Sequence, residues 1–369
     1  MIRAHKIRLY PNNVQATYLA KACGVARFAY NWALAKAKEE YESNSLSTFD
    51  EASLRRELNA IKRKQFPWML EVTKCAPQLA IKDGLAKAFR NFFAKRAGFP
   101  KFHKKGVHDS FSLSNDQLKI NGQKAGIPNL GWVRLAEELR FEGKTLGATI
   151  SRSADRWFIA VQIEIPDKPV AASENQAVGV DLGIKSLATL SNGEEIAGPK
   201  ASRACEKKLR RLGQSLSRKA GAKKGEKKSA NFIKTKKRLS RLYSRMANIR
   251  ADGTHKLTAK LTQNYGLIGI EELNVKGMMS NRRLARSVAD MSFFEFRRQL
   301  EYKAKSSGVK VVVAGMWFPS SKTCSACGAI AGEMPLGVRK WDCAQCQITH
   351  RRDVNAAINL KNYALANAT

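Results

Sequence analysis

Apolar and polar positions change period several times along this chain, and each change marks an element boundary. HKIRLY opens with the alternation of a short strand. From Val14 to Tyr41 the apolar residues Leu19, Cys23, Ala26, Tyr30, Ala33 and Leu34 recur at three- and four-residue intervals, which predicts a helix. A second helical segment covers Glu51 to Lys64 and stops at Pro67-Trp68. A third, Pro77 to Arg96, sets Leu79, Leu85, Phe89 and Phe92 on one face and Lys/Arg on the other. GFPKFHKKG then reads as a loop. From Ser110 to Pro166 short alternating runs separated by glycines predict a small β-barrel or sheet.

After the polar linker DKPVAASENQ, the segment AVGVDLGIKSLATLSNG carries two apolar strands, with Asp181 among them and an Asn-Gly turn following. Leu209, Leu212 and Leu216, then Leu239, Leu242, Met246 and Ile249, keep a helical stripe on either side of GAKKGEKK and predict a helical hairpin. A strand in YGLIGIEEL, a helix from Phe293 to Ser306 and a strand in VKVVVAG follow. Strands alternating with helices imply an α/β core.

Charge narrows the partners. The 369 residues hold 66 Lys and Arg against 31 Asp and Glu, a formal charge of +35. So large an excess of one sign calls for a polyanion, either nucleic acid or an anionic membrane. No apolar run approaches the roughly 18 residues needed to span a bilayer. MIRAHKIRLYP is too polar for a signal peptide, and the charge is spread along the chain rather than gathered on one amphipathic helix. Nucleic acid is the better partner, and no membrane is expected. A basic structural protein without chemistry is the alternative. The excess is densest in residues 201–250, with 18 Lys/Arg against 2 Glu. A solvated charged face would explain it, but the self-repulsion favours an anion lying against it.

Four of the seven cysteines form two CxxC pairs, Cys324 and Cys327, then Cys343 and Cys346, with fifteen residues between the pairs. Two such knuckles bring four thiolates to one tetrahedral ion, the pattern of a structural zinc ribbon. A redox pair or an iron–sulfur cluster would not need two matched pairs on a hairpin with Trp341 as its core. Cys23, Cys75 and Cys205 stand alone in helical contexts and are expected to be buried. With no secretory signal, seven cysteines point to a reducing, cytoplasmic compartment.

Three carboxylates stand out in so basic a chain: Asp181 within an apolar strand, Glu271 ending another, and Asp353 opening the segment DVNAAINL. A phosphodiester nuclease needs a few carboxylates to hold one or two magnesium ions. Asp353 could equally cap its helix, and Glu271 could be an ordinary strand-end residue. Asp181 is harder to explain without a partner, because an unpaired buried carboxylate is costly.

The ordered set GVDLGIKSLATLSNG, IGIEELNVKGM, CSACG…WDCAQC and HRRDVNAAINL resembles the RuvC-like nuclease core of the TnpB family, RNA-guided endonucleases encoded by bacterial insertion sequences. RLYPNNVQATYLAKACGVARFAYNWAL and AFRNFFAKRAGFPKFHKKG resemble that family's opening segments, so the likeness covers nearly the whole chain. It implies an α/β multidomain protein with a RuvC-like (RNase H-like) core carrying an inserted four-cysteine ribbon. A wedge-like β-barrel split over 1–10 and 106–168 would enclose a helical recognition domain at 11–105. The nuclease domain would be split over 175–320 and 348–369 around a zinc-bearing target-nucleic-acid-binding module at 321–347.

The resemblance further implies that Asp181, Glu271 and Asp353 are the catalytic magnesium ligands, Glu271 being preferred to Glu272 by its distance from Leu273. Phe49, Ser53, Lys74 and Gln78 fall where a family member reads the DNA motif beside its target. The implied activity is magnesium-dependent cleavage of double-stranded DNA in the bacterial cytoplasm and nucleoid. One protein would act with one guide RNA derived from the element's end. Three rivals remain: a nuclease-dead RNA-guided repressor, a compact type V CRISPR effector, and a zinc-ribbon DNA-binding accessory protein without activity.

Overall fold

The computed structural model describes residues 1–43, 49–166, 176–220, 228–335 and 337–368. They fall into two compact units, Met1–Pro166 and Asp167–Thr369. Nearly all of DKPVAASENQ and of GAKKGEKK lies outside the described residues.

The first unit opens with β1 (Ile2–Tyr10), which buries His5, Ile7 and Leu9 in strict alternation. Helix α1 (Asn13–Glu42) begins at a capping box: Asn12 Oδ1 accepts from Gln15 N at 2.8 Å and Gln15 Oε1 accepts from Asn12 N at 3.1 Å. The predicted apolar stripe of α1, Leu19 to Leu34, is buried. Helix α2 (Glu51–Gln65) is capped by Asp50. The third helical run is α3 (Cys75–Leu79), a π-helical segment (Ala80–Leu85) and α4 (Ala86–Phe93). It starts two residues before Pro77, which the first turn tolerates because it has no need of that N–H.

Strands β2 (Ser110–Ser114), β3 (Lys119–Asn121), β4 (Lys124–Ile127), β5 (Gly131–Leu135), β6 (Lys144–Ser153) and β7 (Arg156–Glu164) join β1 in one antiparallel sheet, ordered β2-β6-β7-β1-β5-β4-β3. Among the described residues β2 and β3 remain edges, so no ladder closes the sheet into a barrel. Helical residues such as Tyr30, Leu54 and Phe89 share a single hydrophobic core with sheet residues such as Ile7, Val133 and Ile159. Helices and sheet are therefore one packed body. Cys23, Cys75 and, in the second unit, Cys205 are buried as expected.

The second unit begins with β8 (Ala177–Leu182), β9 (Ala188–Leu190) and β10 (Glu195–Ile196), an antiparallel meander whose last turn is Asn192-Gly193, with Gly193 at φ +86°. Helices α5 (Ala201–Arg218) and α6 (Ala230–Asn264) pack through Leu212, Leu242 and Met246, as their stripes predict. Helix α6 continues well past residue 250, through Asp252-Gly253. Leu257 and Leu261 bury in the sheet's core, which outweighs the roughly 1 kcal/mol helical penalty of a glycine. There follow β11 (Leu267–Glu271), α7 (Val275–Ser280), α8 (Ala285–Met291), α9 (Phe293–Ser307) and β12 (Lys310–Ala314). Then come β13 (Lys340–Asp342), β14 (Thr349–Arg351) and α10 (Arg352–Ala366). Strands β8, β11 and β12 run parallel, giving the order β10-β9-β8-β11-β12. Helices α6 and α9 cover one face of this sheet with Leu257, Leu261, Phe296 and Leu300 over Val178, Val180, Ile268 and Ile270. The expected α/β core is present.

Candidate active site

The opposite face of that sheet carries a glycine on each of its two central strands, and this places the carboxylates. Successive strand residues face opposite sides, so Gly179 and Asp181 share the face away from α6, as do Gly269 and Glu271. The two strands are in register, Gly269 with Gly179 and Ile270 with Val180. Asp181 and Glu271 follow one step on, side by side. Helix α10 lies directly on the glycines. A Cβ on Gly179 would sit 1.8 Å from the Ala357 carbonyl oxygen, and one on Gly269 would sit 2.2 Å from that of Leu360. From Ala357 back to Asp353 is about 6 Å of helix, and from Gly179 on to Asp181 is about 6–7 Å of strand. The repeated pattern Gly-x-Asp and Gly-x-Glu thus seats the helix and delivers Asp353 to the other two acids.

The electrostatics record that convergence. Burial, then the nearby charges of Glu271 and Asp353, hold the Asp181 carboxyl well above its ordinary pKa, against the pull of Arg352 and Arg339. Burial raises Glu271 from 4.5 to about 7, although its carboxylate accepts a hydrogen bond from the Leu182 N–H. Asp353 is not a helix cap. Arg351 holds that position without a side-chain bond, and Asp353 lies in the first turn, where the helix dipole favours an anion. Its oxygens accept from Arg339 Nη1 at 3.2 and 3.5 Å. Glu272 points outward and pairs with Arg297 at 3.3 Å. An all-oxygen set whose charges repel one another suits a hard divalent cation such as magnesium. Among the described residues the four cysteines form the one group of three or more whose ligand atoms all lie within 4.8 Å of one another; the three carboxylates do not draw together so closely, and Arg339 sits on Asp353.

These shifts predict a pH effect on the metal-free protein. A carboxyl at about 7 in the fold and at the ordinary 4.5 when unfolded keeps its proton longer in the fold. The unfolded chain binds fewer protons between those values, so stability falls as pH rises from about 4.5 to about 7. Glu271→Gln removes this penalty and keeps an acceptor for Leu182. In chelator, the variant is expected to match the parent at pH 4 and to exceed it by on the order of 2–3 kcal/mol at pH 8. Thermal unfolding at both pH values checks this; a less stable variant at pH 8 contradicts it.

The cysteine ribbon consists of two equivalent knuckles. Cys324 N donates to Ala329 O at 2.8 Å and Gly328 N to Cys324 O at 2.9 Å; Cys343 N donates to Ile348 O at 3.0 Å and Gln347 N to Cys343 O at 2.8 Å. Gly328 and Gln347 take the left-handed turn that each knuckle needs, at φ +81° and +59°. Sγ atoms of Cys324 and Cys346 lie 3.5 Å apart, and those of Cys327 and Cys343 3.6 Å. Four sulfurs 2.3 Å from one zinc would be spaced by about 3.8 Å, so the cluster fits a zinc site. N–H groups of Cys346 and Gln345 aimed at Cys343 pull its thiol down to about 6. Trp341 packs on His350, ring centres 4.9 Å apart, and His350 Nε2 lies 3.0 Å from Cys324 Sγ. The hairpin strand β14 extends past residue 347, the expected end of the ribbon.

Residues overlooked in the sequence tie ribbon to helix. Asn355 and Asn359, one turn apart on α10, are buried and donate to Thr323 O, each at 2.7 Å; Asn359 also donates to Ser320 O at 2.8 Å. Ser325 N donates to Asn355 Oδ1 at 2.9 Å. The i, i+4 spacing of two asparagines on an apolar face was the available signal. Arg339 and Arg352 carried none, since nothing in the sequence distinguishes them from the other cations.

In the first unit the four expected DNA-reading residues are not alike. Phe49 stacks on Phe89 at 4.5 Å and is half-buried. Ser53 is exposed in the first turn of α2, Lys74 is exposed just before α3, and Gln78 is half-buried one turn on.

Three family models match the chain. The OrfB_IS605 model, described as "Probable transposase", covers residues 160–282; "Cas12f1-like, TNB domain" covers 293–360; and "Helix-turn-helix domain" covers 1–45. The described part of 1–45 folds as one strand and one long helix. A Streptomyces pristinaespiralis protein named "Putative RNA-guided DNA endonuclease" is 36% identical, covering 99% of this chain and 90% of its own. A similarly named Escherichia coli K12 protein, InsQ, is 33% identical over 97% of this chain and 91% of its own. Among solved structures, the protein of a Cas12f1–sgRNA–target DNA complex shares the fold, with a TM-score of 0.57 and 15% identity over 95% of this chain and 83% of that one. The motifs, the fold and identity along the full length agree: the chain belongs to the TnpB family.

Proposed function

We propose that this protein is an RNA-guided endonuclease that cuts double-stranded DNA beside a short motif, with Asp181, Glu271 and Asp353 as its catalytic carboxylates. The observation that carries this is the seating of α10 on Gly179 and Gly269, which brings three acids from separate segments to one end of the sheet. Family membership supports the same activity. The three acids would hold one or two magnesium ions, which when bound activate water and neutralise the leaving oxygen. The Leu182 N–H orients Glu271, and Arg339 and Arg352 offer cationic hydrogen bonds to the scissile phosphate. The presence of all three acids argues against the nuclease-dead repressor, and the convergence argues against an inactive accessory protein.

Specificity would come from base pairing between guide and target, with the protein reading heteroduplex shape and backbone. The exposed Lys207, Lys208, Arg210 and Arg211 of α5 and Lys234 and Lys237 of α6 suit that phosphate contact. The sheet of the first unit would serve as the wedge and its helices as the recognition domain. Ser53, Lys74 and Gln78 would face the DNA motif, while Phe49 would support them from the core. The guide would be transcribed from the end of an insertion sequence. Sequencing RNA that copurifies with the protein tests this: one defined species ending in a variable guide supports it, and random cellular RNA contradicts it.

The four cysteines would hold one structural zinc. Parent protein is expected to contain about one zinc per chain. Cys343→Ser should lose most of it and locally unfold the ribbon, because structural zinc supplies folding energy directly. Cleavage should fall with it, since Thr323, Ser325 and Arg339 anchor the helix and acid that cut. Metal analysis finding iron, or no metal, in the parent would overturn the assignment.

A further inference from the structure

Trp317 is 91% exposed, more than any other large apolar side chain among the described residues. A single exposed apolar residue needs no ligand by itself, but an indole this bare and close to the carboxylates offers a large flat surface on which a ligand can stack. The residue is held in place from below. It occupies the third position of a turn closed by Phe318 N donating to Gly315 O at 2.9 Å. The next side chain, Phe318, packs on Tyr363 of α10 with ring centres 4.8 Å apart, and Ser320 O accepts from Asn359. The turn is thus pinned to the helix that carries Asp353, and the indole projects from it.

Its position points to the occupant. Ala314, the last residue of β12, pairs in register with Glu271. Trp317 lies three residues further, a reach of at most about 11 Å beyond a neighbouring strand about 5 Å away. Its Cα is therefore within roughly 16 Å of that of Glu271, a distance two or three unstacked nucleotides cover. We propose that Trp317 stacks on a base of the single-stranded DNA entering the carboxylate site. This rests on the endonuclease reading above. Duplex DNA hides its base faces, whereas the strand opened by guide pairing offers them. An indole grips any base by its π-face, which suits an enzyme whose sequence choice is made elsewhere.

The test uses guide-loaded protein. Trp317→Ala is expected to slow single-turnover cleavage by roughly 10-fold or more, with thermal unfolding unchanged because the side chain is 91% exposed. Trp317→Phe should stay within about threefold of the parent, since a smaller ring still stacks. Target binding, measured in an Asp181→Ala background, should not change. Iodide quenching of the emission that Trp317→Phe removes should be suppressed once single-stranded DNA is present. Equal cutting by the parent and Trp317→Ala would overturn the stacking role alone, whereas a parent complex that never cuts would overturn the endonuclease reading. Protection of the indole by guide RNA before DNA is added would assign it to RNA and also overturn the proposal.

Discussion

Asp181→Ala, Glu271→Ala and Asp353→Ala are each expected to reduce DNA cleavage by roughly 10³-fold or more while guide-dependent target binding stays within about threefold of the parent. In the proposed site each acid is one metal ligand, and removing any one would leave too few oxygens to hold and orient the metal. None of the three belongs to the basic surface proposed to meet the phosphates, so binding should survive. Glu272→Ala is the internal control. That side chain is exposed and pairs with Arg297, and its loss should leave cutting within about twofold, as exposed ion pairs contribute little. Full cutting by Asp353→Ala would reduce that residue to a favourable charge at a helix start. Loss of cutting in Glu272→Ala with retention in Glu271→Ala would reverse the assignment of the pair.

A single methyl group at Gly179, on the same face of the sheet, should do nearly as much damage. Its Cβ would lie 1.8 Å from the Ala357 oxygen and 2.5 Å from the Lys361 nitrogen. Both are backbone atoms of a buried helix, so neither can turn aside as a flexible side chain would. Gly179→Ala is therefore expected to destabilise the second unit by about 3 kcal/mol and to abolish cleavage at temperatures where the fold persists, because Asp353 moves with α10. Gly213→Ala on α5, where an added Cβ meets nothing within 4 Å, should instead leave stability unchanged or raise it by about 0.5–1 kcal/mol. Thermal unfolding of the two variants beside the parent separates close packing from any general intolerance of substitution. A Gly179→Ala protein that unfolds and cuts like the parent would mean that the helix does not depend on that contact.

Much of this was legible in the chain because local chemistry specified it. The apolar stripe of α1, the leucine stripes of α5 and α6 and the paired CxxC knuckles are short-range patterns, and the structure forms them in place. The three acids could be singled out, but their meeting could not, since it depends on the register of β8 against β11 and on how closely a helix that begins 175 residues after the start of β8 can approach. The glycines two residues ahead of Asp181 and Glu271 were in plain view; what they accommodate became clear only with α10 in place. Helix α6 runs on beyond the stripe that ends at Ile249 because tertiary burial of Leu257 and Leu261 outweighs the local cost of Gly253. The open edges of the first sheet had no local signature, because barrel closure is decided between strands far apart in sequence.

The most direct measurement is cleavage of a plasmid by protein stripped of RNA with nuclease, before and after adding a guide of chosen sequence with magnesium. A chain that selected its own site would need a dedicated major-groove reader, and the described part of residues 1–45 supplies a single helix following a strand. RNA-free protein should bind duplex DNA only loosely, with Kd on the order of 10⁻⁴–10⁻⁶ M at physiological salt, and make no specific cut. Restoring the RNA should give one cut at the matching site, and rewriting the guide should move the cut to the new match. A site-specific cut by RNA-free protein, or a cut that stays put when the guide is rewritten, would contradict RNA-guided cleavage.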